Sequence, residues 1–341
     1  AKEWEYFSTK ADVMHELARR GNKLCPLILE YRGFSTLNGT FVEPLTNRLD
    51  AKRRIHGSFS PTGTVTGRLS SHSPNLQNWP NKGSGLLKRC YLSRFGDAGL
   101  ILQADLSQIE LRIAACWFNE PVMIRAYQKG EDLHRQTAID ISGLTPEKYD
   151  ALPKDDKKGW RVRAKRTNFG PLYGGGVQAI VHALRKDGVF VTDEEGQRLL
   201  DRFWAKRKGL ASGMEREERK TRKLGYVESF TGHRRRVPEV YSEDEKLVAR
   251  ALRQSINAPI QCGAAAITLM ALILAHREMR AREMRSKLIL TVHDSIAADC
   301  FVDEVFEVAR ILRNAMELIT ERSDEVIPGI DWKWLRVPIV A

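Results

Sequence analysis

The sequence predicts an α+β fold, and three observations carry that reading. Residues 125–253 are charge-rich, poor in β-branched runs and patterned at helical spacing. Short apolar runs, Leu100-Ile101-Leu102-Gln103-Ala104 and Lys287-Leu288-Ile289-Leu290-Thr291-Val292, lie on either side and read as strands. Hydrophobic residues make up 42% of the 341, enough for a sizeable core and too many for wholesale disorder. That length points to two domains or one large split one.

The elements follow in chain order. Residues 11–37 alternate apolar and charged positions at helical spacing and include Pro26, which predicts a broken pair of helices. Residues 54–79 are rich in Ser, Thr, Gly, Pro and Asn and read as an ordered loop or irregular hairpin. The strand at 100–104 runs into Asp105, with a helix expected from Ser107. Residues 145–160, with a Thr-Pro step and dense charge, read as a connection. A helix over 160–173 should end at Gly174-Gly175-Gly176. Pro171 should kink it, because the ring crowds the carbonyl of Thr167. Long charged helices are expected over 193–224 and an Ala-rich one over 246–284. The strand at 287–292 ends at His293-Asp294, and Ile296-Ala297-Ala298 lies beyond, the pattern of a hairpin with an acid at its tip. Residues 303–321 read as helix and Trp332 to Val340 as a last strand. The sequence has no internal repeat.

Charge narrows the function. The net charge is +12 and the pI near 9.5, which favours a polyanionic partner. Residues 125–253 hold 29 Lys and Arg against 20 Asp and Glu, so most of the excess sits in the helical middle. The five cysteines stand singly, with no CxxC pair, which argues against a zinc ribbon and for a reducing compartment. The start, Ala1-Lys2-Glu3-Trp4-Glu5, is no signal peptide, and no apolar run is expected to reach the ~18–20 residues of a membrane span. A cytoplasmic location and no membrane partner are therefore expected. The chain starts without Met, a hint of a fragment or of a cleaved initiator.

Two acids sit at strand ends. Asp105 closes one apolar run and Asp294 caps a hairpin, so neighbouring strands would bring them together. Such hard oxygens suit Mg²⁺, and two ions ~3.5–4 Å apart stabilise attacking and leaving oxygens in phosphoryl displacement. Either Asp alone is more often a turn residue or helix cap. Glu110 follows Ser107 at capping-box spacing, so a cap is its plainer reading.

Arg161, Lys165, Phe169 and Tyr173 recur every four residues and form one stripe on a helix. Two cations could grip a triphosphate and two aromatics a flat base. By composition alone an amphipathic helix with solvated cations is the plainer reading. Thr62 to Ser71 carries Arg68 and continues to Asn75-Leu76-Gln77-Asn78, which suits a phosphate backbone. Gly232-His233-Arg234-Arg235-Arg236 is a basic turn suited to nonspecific phosphate contact. Asn257 and Gln261 near a helix start suit base edges or a cap. Thr192-Asp193-Glu194-Glu195 could be a D-x-E metal pair, but its spacing favours a capping box.

The order of these segments resembles the polymerase module of family A DNA polymerases, the bacterial DNA polymerase I type. The segments are Thr66-Gly67-Arg68-Leu69-Ser70-Ser71 with Asn75 to Asn78, then Asp105-Leu106-Ser107-Gln108-Ile109-Glu110-Leu111-Arg112, then Asp132-Leu133-His134. Arg161-x-x-x-Lys165-x-x-Asn168-Phe169-Gly170-x-x-Tyr173-Gly174, Gly225-Tyr226-Val227-Glu228, Gln261 and Val292-His293-Asp294 follow. The match runs from about residue 8 to the C-terminus.

The resemblance implies a right hand with an antiparallel-sheet palm and helical fingers. Residues 1–50 would be the last part of a thumb and the entry to the palm, 51–124 palm, 125–255 fingers and 256–341 palm again. Most of the thumb, and any 3′–5′ exonuclease, would be missing from this chain. It further implies that Asp105 and Asp294 hold two Mg²⁺ ions, with Mn²⁺ a tolerated substitute. Arg161 and Lys165 resemble the residues that grip the incoming dNTP, Lys165 also the general acid for pyrophosphate. His134 and Gln108 resemble further nucleotide contacts, Phe169 the residue packing on sugar and base, Tyr173 the one beside the templating base. Glu110 resembles the steric gate against a ribose 2′-OH. Arg68, Asn257, Gln261 and His293 resemble contacts to primer–template DNA, and Asn75 and Gln77 belong to the same set. A bacterial or phage-infected cell is the implied setting, with a separate thumb or exonuclease region or an accessory protein as a further partner.

The pattern departs at Ser295, where the family usually has Glu and single-subunit phage-type RNA polymerases also read His-Asp-Ser. Pro171 is unusual in the helix expected to move on closure. A ribonucleotide-tolerant or RNA polymerase-like enzyme, and a non-catalytic DNA-binding remnant, are the alternatives.

Overall fold

The computed structural model describes residues 9–78 and 89–341; the first eight residues of the expected thumb segment lie outside these. Helices α1 (Ala11–Arg19) and α2 (Leu24–Leu37) pack on each other, and a π turn leads into α3 (Glu43–Thr46). The break between α1 and α2 precedes Pro26, which α2 takes into its first turn, where its missing N–H costs no bond. The loop-rich segment is an irregular hairpin of β1 (Ser58–Ser60) and β2 (Ser70–His72), as expected.

Strand β3 (Gly99–Asp105) leads to α4 (Ile109–Trp117), α5 (Pro121–Gln128), α6 (Leu133–Ser142), α7 (Pro146–Asp150) and α8 (Lys154–Phe169). Three expectations are corrected here. Helix α4 starts at Ile109, because Gln108 takes a left-handed conformation (φ 53°) that a helix cannot include. The stretch 145–160 is largely helical, split between α7 and the first turns of α8. Pro171 terminates α8 rather than kinking it: the α-helix stops at Phe169, a 3-10 turn covers Pro171–Tyr173, and Gly174 reverses the chain at φ 68°. Tyr173 therefore leaves the α8 stripe.

Helices α9 (Val177–Lys186), α10 (Asp193–Lys206) and α11 (Lys208–Leu224) follow. Thr192 and Glu195 form a reciprocal capping box at the start of α10, so D-x-E is a helix start there. Strands β4 (Tyr226–Glu228) and β5 (Arg234–Arg236) make a hairpin that carries the basic cluster.

The 37-residue α12 (Glu245–Ala281) is the core helix. It packs on α4, on α13 (Val305–Glu317) and on the sheet side, with Ala264, Ile267, Met270 and Ala271 almost fully buried. One 18-residue window reaches a mean hydropathy of 1.9, long and apolar enough to cross a membrane, against expectation. That window is 72% buried inside the protein, and a helix apolar all round suits such a core.

Strands β6 (Lys287–Val292) and β7 (Ser295–Phe301) form the predicted hairpin. The sheet is antiparallel in the order β3-β7-β6. Central β7 is buried along nearly its whole length, which its small side chains Ala297, Ala298 and Cys300 permit. Helices α13 and α14 (Ile319–Arg322) complete the fold. The tail is not a strand. It runs as irregular chain, held by bonds such as Ser107 N–H to Val340 C=O at 2.8 Å and Arg112 Nη1 to Pro338 C=O at 2.8 Å.

Candidate active site

Sheet register brings the two acids together. Asp105 ends β3 directly opposite Ser295, the residue after Asp294, and Leu106 N–H donates to Asp294 C=O at 3.1 Å. The two-residue turn His293-Asp294 is tight enough to hold His293 at φ 54°. Burial pushes the Asp294 carboxyl up to about 6; Arg68 pulls against that shift, and the nearby charges of Glu110 and Asp105 add to it. Burial also raises Asp105, with His293 opposing. Asp294 Oδ1 is buried and accepts no hydrogen bond; Arg68 Nη2 faces it at 3.8 Å. An orphaned carboxylate oxygen beside a second carboxylate is a hard, anionic donor set that fits a divalent cation. Among the described residues no group of three or more His, Cys, Asp or Glu could hold a metal ion. The donor set there is thus two carboxylates.

Ser295 does not join it. Its side chain is buried, donates to Val292 C=O at 2.9 Å and accepts from Gln103 Nε2 at 2.8 Å. It closes the turn behind Asp294.

Glu110 is not a helix cap: α4 has no side-chain cap bond. One Glu110 oxygen pairs with Arg68 and the other accepts the Tyr173 hydroxyl, so three distant segments meet at one buried carboxylate. Burial and the Glu110 charge both raise the Tyr173 phenol, which also takes a hydrogen bond from Gln261. Gln108 is held from behind by Tyr127, whose hydroxyl donates to its Oε1 at 3.1 Å.

Asp132 organises the cationic side. Its Oδ1 caps α6 by accepting from His134 and Arg135 N–H (3.0 and 3.3 Å), while its Oδ2 pairs with Arg161. That cap fixes His134 in the first turn of α6, with its ring 6.1 Å from that of Phe169. Lys165 is exposed and, among the described residues, has no ion-pair partner. The stripe therefore holds for Arg161, Lys165 and Phe169.

Arg68, Gln77, His293, Thr268 and Thr291 line one small cavity of about 30 Å³. Gln77 Nε2 donates to Thr291 C=O at 3.2 Å and ties the hairpin segment to β6. Asn75 accepts from Gln77 N–H at 3.0 Å, a turn-forming bond. Asn257 lies well inside α12 rather than near its start and donates to Leu172 C=O at 3.3 Å. Sequence reasoning missed Tyr127, Thr137 and Arg207, which support the site from inside. No motif marks them; only the folded arrangement brings them there.

The sheet thus ends in two carboxylates, Asp105 and Asp294, and α8 carries two cations, Arg161 and Lys165. The model of DNA polymerase family A matches residues 1–331, and the chain belongs to that family. It is 33% identical over 306 residues to the DNA polymerase of Bacillus phage SP01, covering 87% of this chain and 32% of that protein. It is 35% identical over 331 residues to the thermostable DNA polymerase I of Thermus thermophilus, covering 95% of this chain and 38% of that one. The solved POL domain of Pol1 from M. smegmatis, in complex with DNA primer-template and dNTP, superposes with a TM-score of 0.83 at 28% identity. That match covers 97% of this chain and 54% of the other. The chain thus spans about a third of the length of these curated relatives.

Proposed function

We propose that this chain carries out template-directed DNA synthesis, adding deoxynucleotides to a primer 3′-OH. The observation that carries the proposal is the convergence of Asp105 and Asp294 at one sheet end, with an oxygen of Asp294 left unpartnered. Family membership and the DNA- and dNTP-bound solved neighbour support the same reading.

Asp105 and Asp294 would hold two Mg²⁺ ions, with Mn²⁺ as a substitute. When bound, these ions acidify the primer hydroxyl and stabilise charge on the departing pyrophosphate. Arg161 and Lys165 bind phosphate oxygens, and Lys165 gives its proton to the leaving pyrophosphate. Phe169 packs on the sugar and base. Glu110, fixed by Arg68 and Tyr173, occupies the space a ribose 2′-OH would need. Arg68, Asn75, Gln77, Asn257, Gln261 and His293 contact primer–template. In this reading the sheet side (51–124 and 256–341) is a palm and the helical middle (125–255) the fingers. Residues 1–50 are the end of a thumb.

Primer extension on a defined template, with dNTPs or rNTPs and Mg²⁺, tests this. Templated dNTP addition is expected. Preferred rNTP addition would favour the RNA polymerase-like alternative, and no addition under any metal or salt condition would overturn catalysis.

A further inference from the structure

A chain of hydrogen bonds runs from the core to His134. It starts at Arg207, which is 1% exposed and sits between α10 and α11. A guanidinium can only donate. Arg207 Nη2 donates to Thr137 Oγ1 at 3.2 Å, and Nη1 lies 3.0 Å from Asp140 Oδ2. Thr137 is fully buried, and its hydroxyl donates onward to Asn168 Oδ1 at 3.0 Å. That contact assigns the Asn168 amide, whose two ends are otherwise hard to tell apart. The carbonyl faces Thr137 and the NH₂ faces His134. The reverse orientation would leave the Thr137 hydroxyl hydrogen with no acceptor among the described residues. Asn168 Nδ2 then donates to His134 Nδ1 at 3.0 Å. A ring nitrogen that accepts a bond carries no proton, so the proton sits on Nε2.

We propose that Arg207, Thr137 and Asn168 are positioning residues that lock His134 as the neutral Nε2–H imidazole, a hydrogen-bond donor to the triphosphate of the incoming nucleotide rather than a proton source. The acceptor's identity rests on the polymerase reading; the lock does not. The charges facing His134 are Asp132 ahead of α6, Arg161 and Lys165 on α8, and the Arg207–Asp140 pair behind. Burial pushes His134 down to about 4, with Asp132 opposing and the two α8 cations assisting. Nucleotide binding would then take up no proton at this residue, and Lys165 is left as the acid.

The test is ¹⁵N NMR of the full chain with labelled histidine, the His134 signal being assigned by its loss in His134→Gln. The wild-type protein should show an Nε2–H imidazole that stays neutral at pH 6. Thr137→Val removes the donor to Asn168. It should give mixed tautomers and a dNTP KM raised about fivefold, the worth of one ordinary hydrogen bond, while the ring stays neutral at pH 6 because its burial is unchanged. Its kcat should stay within about twofold, because the lost interaction is one of binding. Thr137→Ser keeps the hydroxyl and should restore wild-type behaviour. An Nδ1–H tautomer in the wild-type protein, titration near ~6.5, or an unchanged tautomer in Thr137→Val would overturn the lock. The expected tautomer in a chain that extends no primer would uphold the lock while removing the polymerase reading.

Discussion

The two halves of the site are built on opposite principles. At the sheet end, Asp105 and Asp294 crowd together beside Glu110, burial disfavours the charges of the two aspartates, and an Asp294 oxygen is unpartnered. On the helical side, Asp132, His134, Asn168 and Arg161 each have a bonded partner. The first half carries disfavoured negative charge, which the proposed cations would offset. The second is already ordered to receive an anion. A site for a metal-bound triphosphate needs both: unmet negative charge on one wall and pre-set donors on the other.

The largest test of that contrast removes the crowded wall. Asp105→Ala should lower the rate of nucleotide incorporation by roughly 10³-fold or more, the equivalent of several kcal/mol of transition-state stabilisation. Far-UV circular dichroism should show the fold intact. On the opposite wall, Lys165→Ala should cost about 10²-fold in kcat, a general acid's usual contribution, measured by single-turnover extension.

A third test reads the crowding as stability. The folded-state pKa of Asp294 is raised, from 3.8 to about 6. The folded protein therefore holds this proton more tightly than the unfolded chain. Stability is fully present below the unfolded value and is lost as pH rises through the folded one. Asp294→Asn should thus stabilise the metal-free protein at pH 8, by about 3 kcal/mol, and have little effect at pH 4. Thermal melts at both values check this, and equal shifts would argue against crowding. The smallest effect is expected at Glu110, where the halves touch. Glu110→Ala should relax dNTP-over-rNTP preference by about tenfold, scored by competitive incorporation, with some loss of activity because Arg68 and Tyr173 lose their shared partner.

Much of this was legible in the sequence, for local reasons. The hairpin with Asp294 at its tip, the strand ending in Asp105 and the α10 capping box are written in short-range patterns. What escaped depends on tertiary contact. Glu110 sits at capping-box spacing, yet Arg68 and Tyr173 compete for it and win. The tail, apolar enough for a strand, finds Ser107 and Arg112 instead of a sheet edge. The relay behind His134 joins residues 31 and 70 positions apart, a distance no motif spans.

The account turns on the two strand-end carboxylates as the metal-holding pair. Its most direct test is single-nucleotide primer extension by wild type and Asp294→Asn across a Mg²⁺ titration, with primer–template binding measured in parallel. The account predicts Mg²⁺-dependent incorporation by wild type. The variant should bind DNA but incorporate nothing at any Mg²⁺ concentration. A wild-type rate from Asp294→Asn at the same Mg²⁺ would contradict it.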